Sequence, residues 1–454
     1  MKEKNEISWR CNVCGYLHYQ VTSPDLCPIC NAKAAEFREV EVAVKPEQRD
    51  VGHVRIVIVG AGIAGVSAAE TTREHAPDAE IILISKEDEY PYHRINLTRF
   101  LAGAVSEDEL PLRPENWFKQ HRIQFMPGTE VESIVLAEKS VRLDSGACLQ
   151  FDKLIFAAGS NPWIPDTPGT GLQRVFTIYT RKDAQEILSA VGPGTRVACI
   201  GGGILGLEAA SALAKRNAEV TVLEAFDHLM PKQLNPQGSR VLQKHLESMG
   251  VTVITSAIAD CIVGDGEVTG VHLKRGLLIP AEVVVVAAGE RANTSILQEA
   301  GLPCRQGVLV DNFLRTSNPD IFAAGDVAEH DGIRYGAWAP AMYQGKIAGL
   351  NAAGIPTEFG GIPRSHVLKV VGKPMFSIGV ITSTDGSYQM IEDFPENGYR
   401  MFMFRDGLLV GALLIGKLKL MNSVRKAMQI RLNLRELISS QSSAERIAMR
   451  ISEV

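Results

Sequence analysis

The sequence predicts an α/β protein with two doubly wound domains, a small N-terminal metal knuckle and a C-terminal α+β domain. Two Gly-x-Gly-x-x-Gly segments begin at Gly60 and Gly201, each after an apolar β-branched run and before an alanine-rich run. This order of strand, tight turn and helix opens a doubly wound domain. Four cysteines in two Cys-x-x-Cys pairs precede both segments and are typical of a small metal site. From about residue 360, alternating apolar runs predict antiparallel strands, followed by helices.

Length and composition bound the class of protein. The 454 residues suffice for about three domains of roughly 150 residues each. The formal net charge of −5 gives no sign of a nucleic-acid partner. No run of 18 apolar residues occurs, so we expect no membrane span, and the charged residues 1–10 do not resemble a signal peptide. The remaining four cysteines are scattered singly, which favours a reducing, cytoplasmic environment over a disulfide framework.

The order of these patterns predicts the domain boundaries. The cysteine segment has too little apolar content for a core, so metal or disulfides must support its folding. The expected segments are 1–44 for the cysteine knuckle, 45–52 for a linker, 53–166 and 291–355 for the two parts of the first nucleotide-binding domain, 167–290 for the second, and 356–454 for the C-terminal α+β domain.

The first glycine loop has the flanks that a dinucleotide site needs. A strand over 55–59, a helix from Ile63 to about Glu74 and a strand over 80–85 form a β-α-β unit. Glycines permit the tight turn and the approach of a pyrophosphate, and the helix N-terminus supplies free N–H groups. A glycine-rich turn without a ligand is the alternative. The acidic residue expected after the second strand to bind a ribose is Glu87, although Ser85 occupies the position directly at the end of that strand.

The second glycine loop repeats the unit 141 positions later, with strands over 196–200 and 219–223 and a helix from Ile204 to Arg216. Glu224 follows the second strand, where a carboxylate binds the hydroxyls of an adenosine ribose. No arginine lies among residues 225–228, so a 2′-phosphate would meet only like charge and NADH is favoured over NADPH. A solvated strand end is the alternative interpretation of Glu224.

Several of these segments resemble the FAD-binding elements of pyridine-nucleotide-linked flavoprotein reductases of the glutathione-reductase type. The resemblance covers roughly residues 53–420 and is strongest to NADH:rubredoxin oxidoreductases and the ferredoxin-reductase-like branch. It rests on the loop at 60–65, Pro91-Tyr92-His93-Arg94 running to Leu97-Thr98-Arg99, the turn Ala157-Ala158-Gly159, and the segment from Thr316 to Asp326.

The resemblance implies FAD at the first loop and NADH at the second. Asp326 would bind the ribityl chain, the backbone of Val131 would reach adenine, and Trp338 would begin a helix aimed at the flavin, unless it is a core tryptophan. A Lys–Glu pair of these relatives would correspond to Arg99 and Glu208, the two expected catalytic residues; a surface arginine is the alternative for Arg99. The remaining cofactor contacts implied are Gly60, Gly62, Ile63, Ala64, Gly65, Glu87, Arg94, Ala158 and Gly159 for FAD, and Gly201, Gly203, Ile204, Gly206, Glu224 and Gly289 for NADH.

Thiol chemistry at the flavin is improbable in this chain. Relatives that reduce disulfides carry two cysteines shortly after the first loop, and related oxidases and peroxidases carry one. No cysteine lies between Cys30 and Cys148. Electrons must therefore leave the flavin directly, to an external acceptor or to a metal.

Cys11, Cys14, Cys27 and Cys30 are the expected metal ligands, and four thiolates close a tetrahedral site for zinc or iron. Gly15 and Asn31 follow the two pairs, where a turn with positive φ is needed. The segments around both pairs resemble the short rubredoxin of rubrerythrins, which implies one redox-active iron. A twelve-residue linker would span roughly 20 Å and let this module visit the flavin.

The favoured function is transfer of hydride from NADH to FAD, then of single electrons to the iron and to an unknown acceptor protein. The nearest alternative is an NADH oxidase or diaphorase with a structural zinc knuckle. An alternative of another class is a non-catalytic NADH-responsive binding protein. The sequence leaves the acceptor and the oligomeric state, including a homodimer, open.

Overall fold

The computed structural model describes residues 6–18, 22–30, 32–42, 53–362, 365–383, 385–396, 398–439 and 442–454. The predicted linker at 45–52 and Asn31 lie outside the described residues. The chain divides into two compact units. The first comprises Met1–Asn96, Glu107–Asn161 and Glu290–Pro363, and the second comprises Leu97–Ser106, Pro162–Gly289 and Arg364–Val454.

Strands and α-helices are numbered in chain order. The strands are β1 (Glu6–Cys11), β2 (Leu17–His18), β3 (Phe37–Val42), β4 (Arg55–Val59), β5 (Glu80–Ile84), β6 (Ile123–Met126), β7 (Val131–Val135), β8 (Ser140–Leu143), β9 (Cys148–Gln150), β10 (Lys153–Phe156), β11 (Ser160–Pro162), β12 (Val175–Thr177), β13 (Arg196–Ile200), β14 (Glu219–Leu223), β15 (Val251–Ile254), β16 (Ala259–Asp265), β17 (Glu267–Leu273), β18 (Leu278–Pro280), β19 (Val283–Val286), β20 (Glu290–Ala292), β21 (Val308–Val310), β22 (Ile321–Ala323), β23 (Ala328–His330), β24 (Ser365–Val370), β25 (Lys373–Gly379), β26 (Tyr388–Asp393), β27 (Tyr399–Arg405) and β28 (Leu408–Ile415). The helices are α1 (Ile63–His75), α2 (Leu97–Leu101), α3 (Glu115–Gln120), α4 (Arg181–Ala190), α5 (Ile204–Ala214), α6 (Pro236–Glu247), α7 (Ser295–Glu299), α8 (Trp338–Ala352), α9 (Met421–Gln429), α10 (Arg435–Ser439) and α11 (Ala444–Ser452). Among the described residues, no helix is long and apolar enough to cross a membrane.

A parallel five-stranded sheet in the order β22-β10-β4-β5-β6 forms the centre of the first unit. Its middle strand β4 is apolar on both faces, as expected of a strand covered on both sides. Helices α1 and α8 pack against each other at very close range. A Cβ added to Gly345 would lie 2.2 Å from the carbonyl oxygen of Ala64, and one added to Gly349 would lie 2.6 Å from that of Ala68. These two glycines therefore set the distance between the helices.

The cysteine module belongs to the same unit and packs on it. Its antiparallel sheet has the order β2-β1-β3. Tyr16 forms an antiparallel bridge with Phe359, and Phe359 is completely buried. Cys11, Cys14 and Cys27 belong to the same apolar cluster as buried residues of α1 and α8. The module, too small for a core of its own, shares one with the rest of the unit.

The second unit repeats the topology of the first. Its parallel sheet has the order β12-β19-β13-β14-β15, and its glycine loop again follows the middle strand, β13. Val283, Val284 and Val285 of β19 have no exposed surface. The prediction of two doubly wound domains is confirmed.

Residues 365–454 of the second unit form the predicted α+β structure. The antiparallel sheet has the order β24-β25-β28-β27-β26. Helices α9 and α11 bury Val424, Ala427, Ile447 and Ile451 in one cluster with apolar residues of this sheet such as Phe402. The spacing of three or four residues between the buried positions places them on one helix face.

Candidate functional site

The first glycine loop forms an open cradle at the start of α1. Gly60 has a φ of +101°, and a Cβ there would lie 2.3 Å from the carbonyl oxygen of Ala157, so only glycine fits. Gly62 caps the helix without a side-chain hydrogen bond, and a Cβ there would meet nothing within 4 Å. Open space therefore lies beside the residue that caps the first turn of α1. A pyrophosphate fits such a cradle.

Asp326 lies close to the start of α1, because its neighbour Gly325 packs there. A Cβ added to Gly325 would lie 3.0 Å from the Cβ of Ala64. Burial, and next the negative charge of Glu290, raise the pKa of Asp326 to about 6, against the opposing charges of Arg334 and Arg94. A half-buried carboxyl that is costly to ionise is stabilised by a hydroxyl donor, which suits the ribityl role predicted for Asp326.

Glu87, predicted to bind a ribose, already has two partners. Arg94 Nη2 lies 2.5 Å from its Oε1, and the hydroxyl of Tyr92 donates to its Oε2 at 2.7 Å. Ser85, the other candidate, donates its hydroxyl to the backbone oxygen of Glu87 at 3.0 Å. The structure thus brings Glu87 and Arg94, two predicted FAD-site residues, together after β5, and their contact with FAD stays a prediction.

The other residues predicted at the FAD site lie on separate elements of the structure. Val131 is buried at the start of β7, and Asn293 binds the backbone oxygens of Ala158 and Gly159 at 2.8 and 3.0 Å. Trp338 begins α8, and its ring stacks on His93 with centroids 5.6 Å apart.

Arg99 and Glu208 lie in the second unit, on α2 and α5. The carboxylate of Glu208 accepts the N–H of Val371 at 2.7 Å. Their predicted ion pair beside the flavin stays a prediction.

The second glycine loop repeats the cradle in the second unit. Gly201 has a φ of +117°, a Cβ at Gly203 would meet nothing within 4 Å, and Ile204 begins α5. Gly206 lies against the loop, since its Cβ would be 2.1 Å from the carbonyl oxygen of Gly201. Gly289 lies in the turn between β19 and β20 with a φ of +133°, and its carbonyl oxygen accepts the N–H of Trp163.

Glu224 is fixed against this loop. It is 6% exposed, and its two oxygens accept the N–H groups of Gly202 at 2.7 Å and Phe226 at 2.8 Å. These bonds hold the carboxylate at the carboxyl edge of β14, where the adenosine ribose of a dinucleotide lies in this kind of domain. Both cradles therefore fit a dinucleotide.

The four cysteines of the module form one cage. All four sulfur atoms lie within 4.8 Å of one another, with Cys11 and Cys30 at 3.6 Å and Cys14 and Cys27 at 3.5 Å. Tetrahedral metal–sulfur bonds of about 2.3 Å require sulfur–sulfur distances of about 3.8 Å, so the cage fits one metal ion. Hydrogen bonds among the four cysteines lower the pKa of Cys11 and raise that of Cys14. Because a metal binds thiolates, the raised pKa of Cys14 means that metal binding must release protons.

Four residues that the sequence gave no reason to single out lie near this cage. Tyr343 of α8 has its pKa raised to about 12 by burial and by the charge of the four cysteines, Cys30 first. Arg38 faces Arg10 across β1 and β3, and both line a cavity next to Cys11. Lys346 donates to the backbone oxygen of Ile29. Both arginines line the same cavity as Cys11 and bring positive charge into it.

Two glycine loops on repeated doubly wound sheets are typical of proteins that bind two dinucleotides. The chain belongs to the pyridine nucleotide-disulphide oxidoreductase family, whose model matches residues 54–345. Residues 9–38 match the rubredoxin-like domain of rubrerythrin, and 365–432 match the C-terminal domain of rubredoxin NAD+ reductase. The resemblance predicted from the sequence is therefore confirmed.

Individual relatives show which proteins the chain is similar to within this family. The chain is 35% identical to the nitrite reductase (NAD(P)H) of Bacillus subtilis strain 168 over 81% of its own length, but spans only about half of that protein, 46%. It is 29% identical to the NADH-rubredoxin oxidoreductase of Clostridium acetobutylicum, covering 82% of this chain and 94% of the relative. The crystal structure of NADH:rubredoxin oxidoreductase from Clostridium acetobutylicum superimposes with a TM-score of 0.75 at 28% identity, covering 88% of this chain and all of that one.

Proposed function

We propose that this chain is an NADH-dependent FAD oxidoreductase that delivers single electrons to an iron ion held by its own four cysteines, and from there to an external acceptor protein. The observation that supports it most is the packing of the cysteine cage on the unit that carries the first glycine loop. The similarity to NADH-rubredoxin oxidoreductase, joined here to a rubredoxin-like domain in one chain, supports the same order of transfer.

The residues take the following roles. FAD, when bound at the first loop, accepts two electrons as a hydride and releases them singly. The first turn of α1 binds its pyrophosphate, and Asp326 accepts a hydrogen bond from its ribityl chain. Glu224 binds the adenosine ribose of NADH and disfavours the 2′-phosphate of NADPH by its charge. Arg99 and Glu208 remain the candidate catalytic residues that the resemblance implies.

Iron rather than zinc is proposed for the cage. Both fit four thiolates, but zinc has no redox chemistry and would leave the cage structural. Iron held by Cys11, Cys14, Cys27 and Cys30 would supply a one-electron couple, so the two electrons of one NADH would serve two molecules of a one-electron acceptor.

The test uses the full-length protein expressed with ample iron. We expect one iron per chain, a flavin spectrum, and reduction by NADH of flavin first and iron second in stopped-flow absorption. In Cys11→Ser, flavin reduction should persist while reduction of an added rubredoxin-type acceptor is lost. Cys148→Ser, which changes an exposed cysteine outside the cage, is the matched control.

Other outcomes would contradict the proposal. Zinc alone in the cage, with flavin that reacts directly with oxygen or a dye, would establish the diaphorase alternative. Absent or very slow flavin reduction by NADH would favour the binding protein.

A further inference from the structure

We propose that Lys346 and the backbone contact between Gly15 and Gly360 hold the cysteine module in one fixed position on helix α8, in place of the excursions that a flexible linker would permit. The position itself does not depend on the proposed function. Its purpose, which is to keep the cage at a constant distance from the flavin, rests on that function.

The first point of attachment is the second cysteine pair. The ammonium group of Lys346 donates to the backbone oxygen of Ile29 at 2.9 Å. Ile29 lies between Cys27 and Cys30 and is 3% exposed. Lys346 therefore anchors the turn that carries two of the four ligands, with a charge-assisted hydrogen bond from a residue 317 positions away.

The second point of attachment is the first cysteine pair. The N–H of Gly360 donates to the oxygen of Gly15 at 2.8 Å, next to the bridge between Tyr16 and Phe359. A Cβ at Gly15 would lie 2.6 Å from the oxygen of Gly361. The two backbones are thus in direct contact, and attachment at both cysteine pairs prevents rotation of the module about either one.

Helix α8 runs from the predicted flavin site to this attachment. Trp338 begins the helix, and Tyr343, which lies beside the cysteines, is five residues further on. At 1.5 Å per residue this is about 7.5 Å along the axis. The cage therefore lies along the N-terminal half of the helix whose start we assign to the flavin, and no movement of the module is needed to bring it there.

Hydrogen–deuterium exchange of the full-length protein, loaded with redox-silent zinc, tests the attachment without electron transfer. We expect the amide of Gly360 to be protected in the wild-type protein. In Lys346→Ala its exchange should become about tenfold faster, because a charge-assisted hydrogen bond that holds the module is lost. Lys119→Ala, an exposed lysine of the same unit, should leave it unchanged.

A second variant changes the other attachment. Valine at position 360 keeps the amide but places its side chain where the Arg10 guanidinium lies, since a Cβ there would be 2.4 Å from Arg10 Nε. Gly360→Val should therefore also expose that amide. An amide of Gly360 that exchanges like an open peptide in the wild-type protein, or that is unaffected by both substitutions, would overturn the proposal.

Stopped-flow reduction of the iron-loaded protein separates this inference from the proposed function. In Lys346→Ala we expect flavin reduction by NADH at the wild-type rate and slower reduction of iron. Iron reduction at the wild-type rate in this variant would contradict the purpose assigned to Lys346. Iron that is never reduced in the wild-type protein would refute the proposed function and leave the exchange result standing.

Discussion

Replacing Asp326 by asparagine should stabilise the protein without flavin while weakening its hold on FAD. Burial and Glu290 raise the pKa of this carboxyl from 3.8 to about 6. At 1.36 kcal/mol per pKa unit, a shift of about two units costs up to about 3 kcal/mol of stability once the group is ionised. Asparagine has nearly the same shape and never ionises, so it avoids this cost.

The sign of the pH dependence follows from the raised pKa. Because the folded protein binds this proton more tightly than the unfolded chain, stability contributed by Asp326 is present below pH 3.8 and is lost as pH rises through 6. The advantage of Asp326→Asn should therefore be nearly complete, about 3 kcal/mol, at pH 7.5 and only about half as large at pH 5. FAD binding should weaken roughly fivefold, since a hydrogen bond to a charged acceptor exceeds a neutral one by about 1 kcal/mol.

Urea unfolding of the flavin-free proteins at pH 5 and pH 7.5, with FAD titration followed by fluorescence, measures both effects. Asp144→Asn, an exposed aspartate of the same unit, should show no such gain. A variant that is less stable than the wild type at pH 7.5, or whose advantage is equal at both pH values, would show that the environment of Asp326 does not penalise its charge.

Two further predictions concern the other sites. Glu224→Ala should raise the KM for NADH about tenfold or more with a smaller change in kcat, because charge-assisted hydrogen bonds to the ribose, of about 1.5–3 kcal/mol, are lost. Asp227→Ala is the control. An unchanged KM in Glu224→Ala would remove the assignment of Glu224 to the ribose. Arg38→Gln should lower the reduction potential of iron bound in the cage, on the order of 10–60 mV, because a cation in the cavity that Cys11 also lines favours the reduced form. Arg38→Lys should restore most of the potential in a redox titration, and equal potentials in all three proteins would refute the electrostatic role.

The nucleotide-binding elements were predictable because local patterns determine them. The strands expected at 196–200 and 219–223 coincide with β13 and β14, since β-branched runs bounded by glycine and polar residues define them. The helix expected to reach Arg216 ends at Ala214, because the chain turns there and Asn217 adopts a φ of +64°. A left-handed asparagine that ends a helix is a weak signal in sequence.

The surroundings of the sites were not predictable, because they depend on contacts between distant segments. The sequence identifies both Glu87 and Arg94 as FAD-site candidates but does not reveal that they pair with each other. It identifies the four cysteines by their spacing, yet gives no indication that Lys346 anchors their turn. Hydrophobic periodicity reports which face of an element is buried, and it does not report what covers that face.

Burial of the cage beneath its own chain restricts how other proteins reach it. Cys11, Cys14 and Cys27 have no exposed surface, and within the described module only Cys30 retains some. Within the described module, an acceptor would therefore come nearest to a sulfur atom at Cys30. If the cage passes electrons outward as proposed, we expect substitutions around Cys30 to change which acceptors react, while reduction of the cage from within the chain is unchanged.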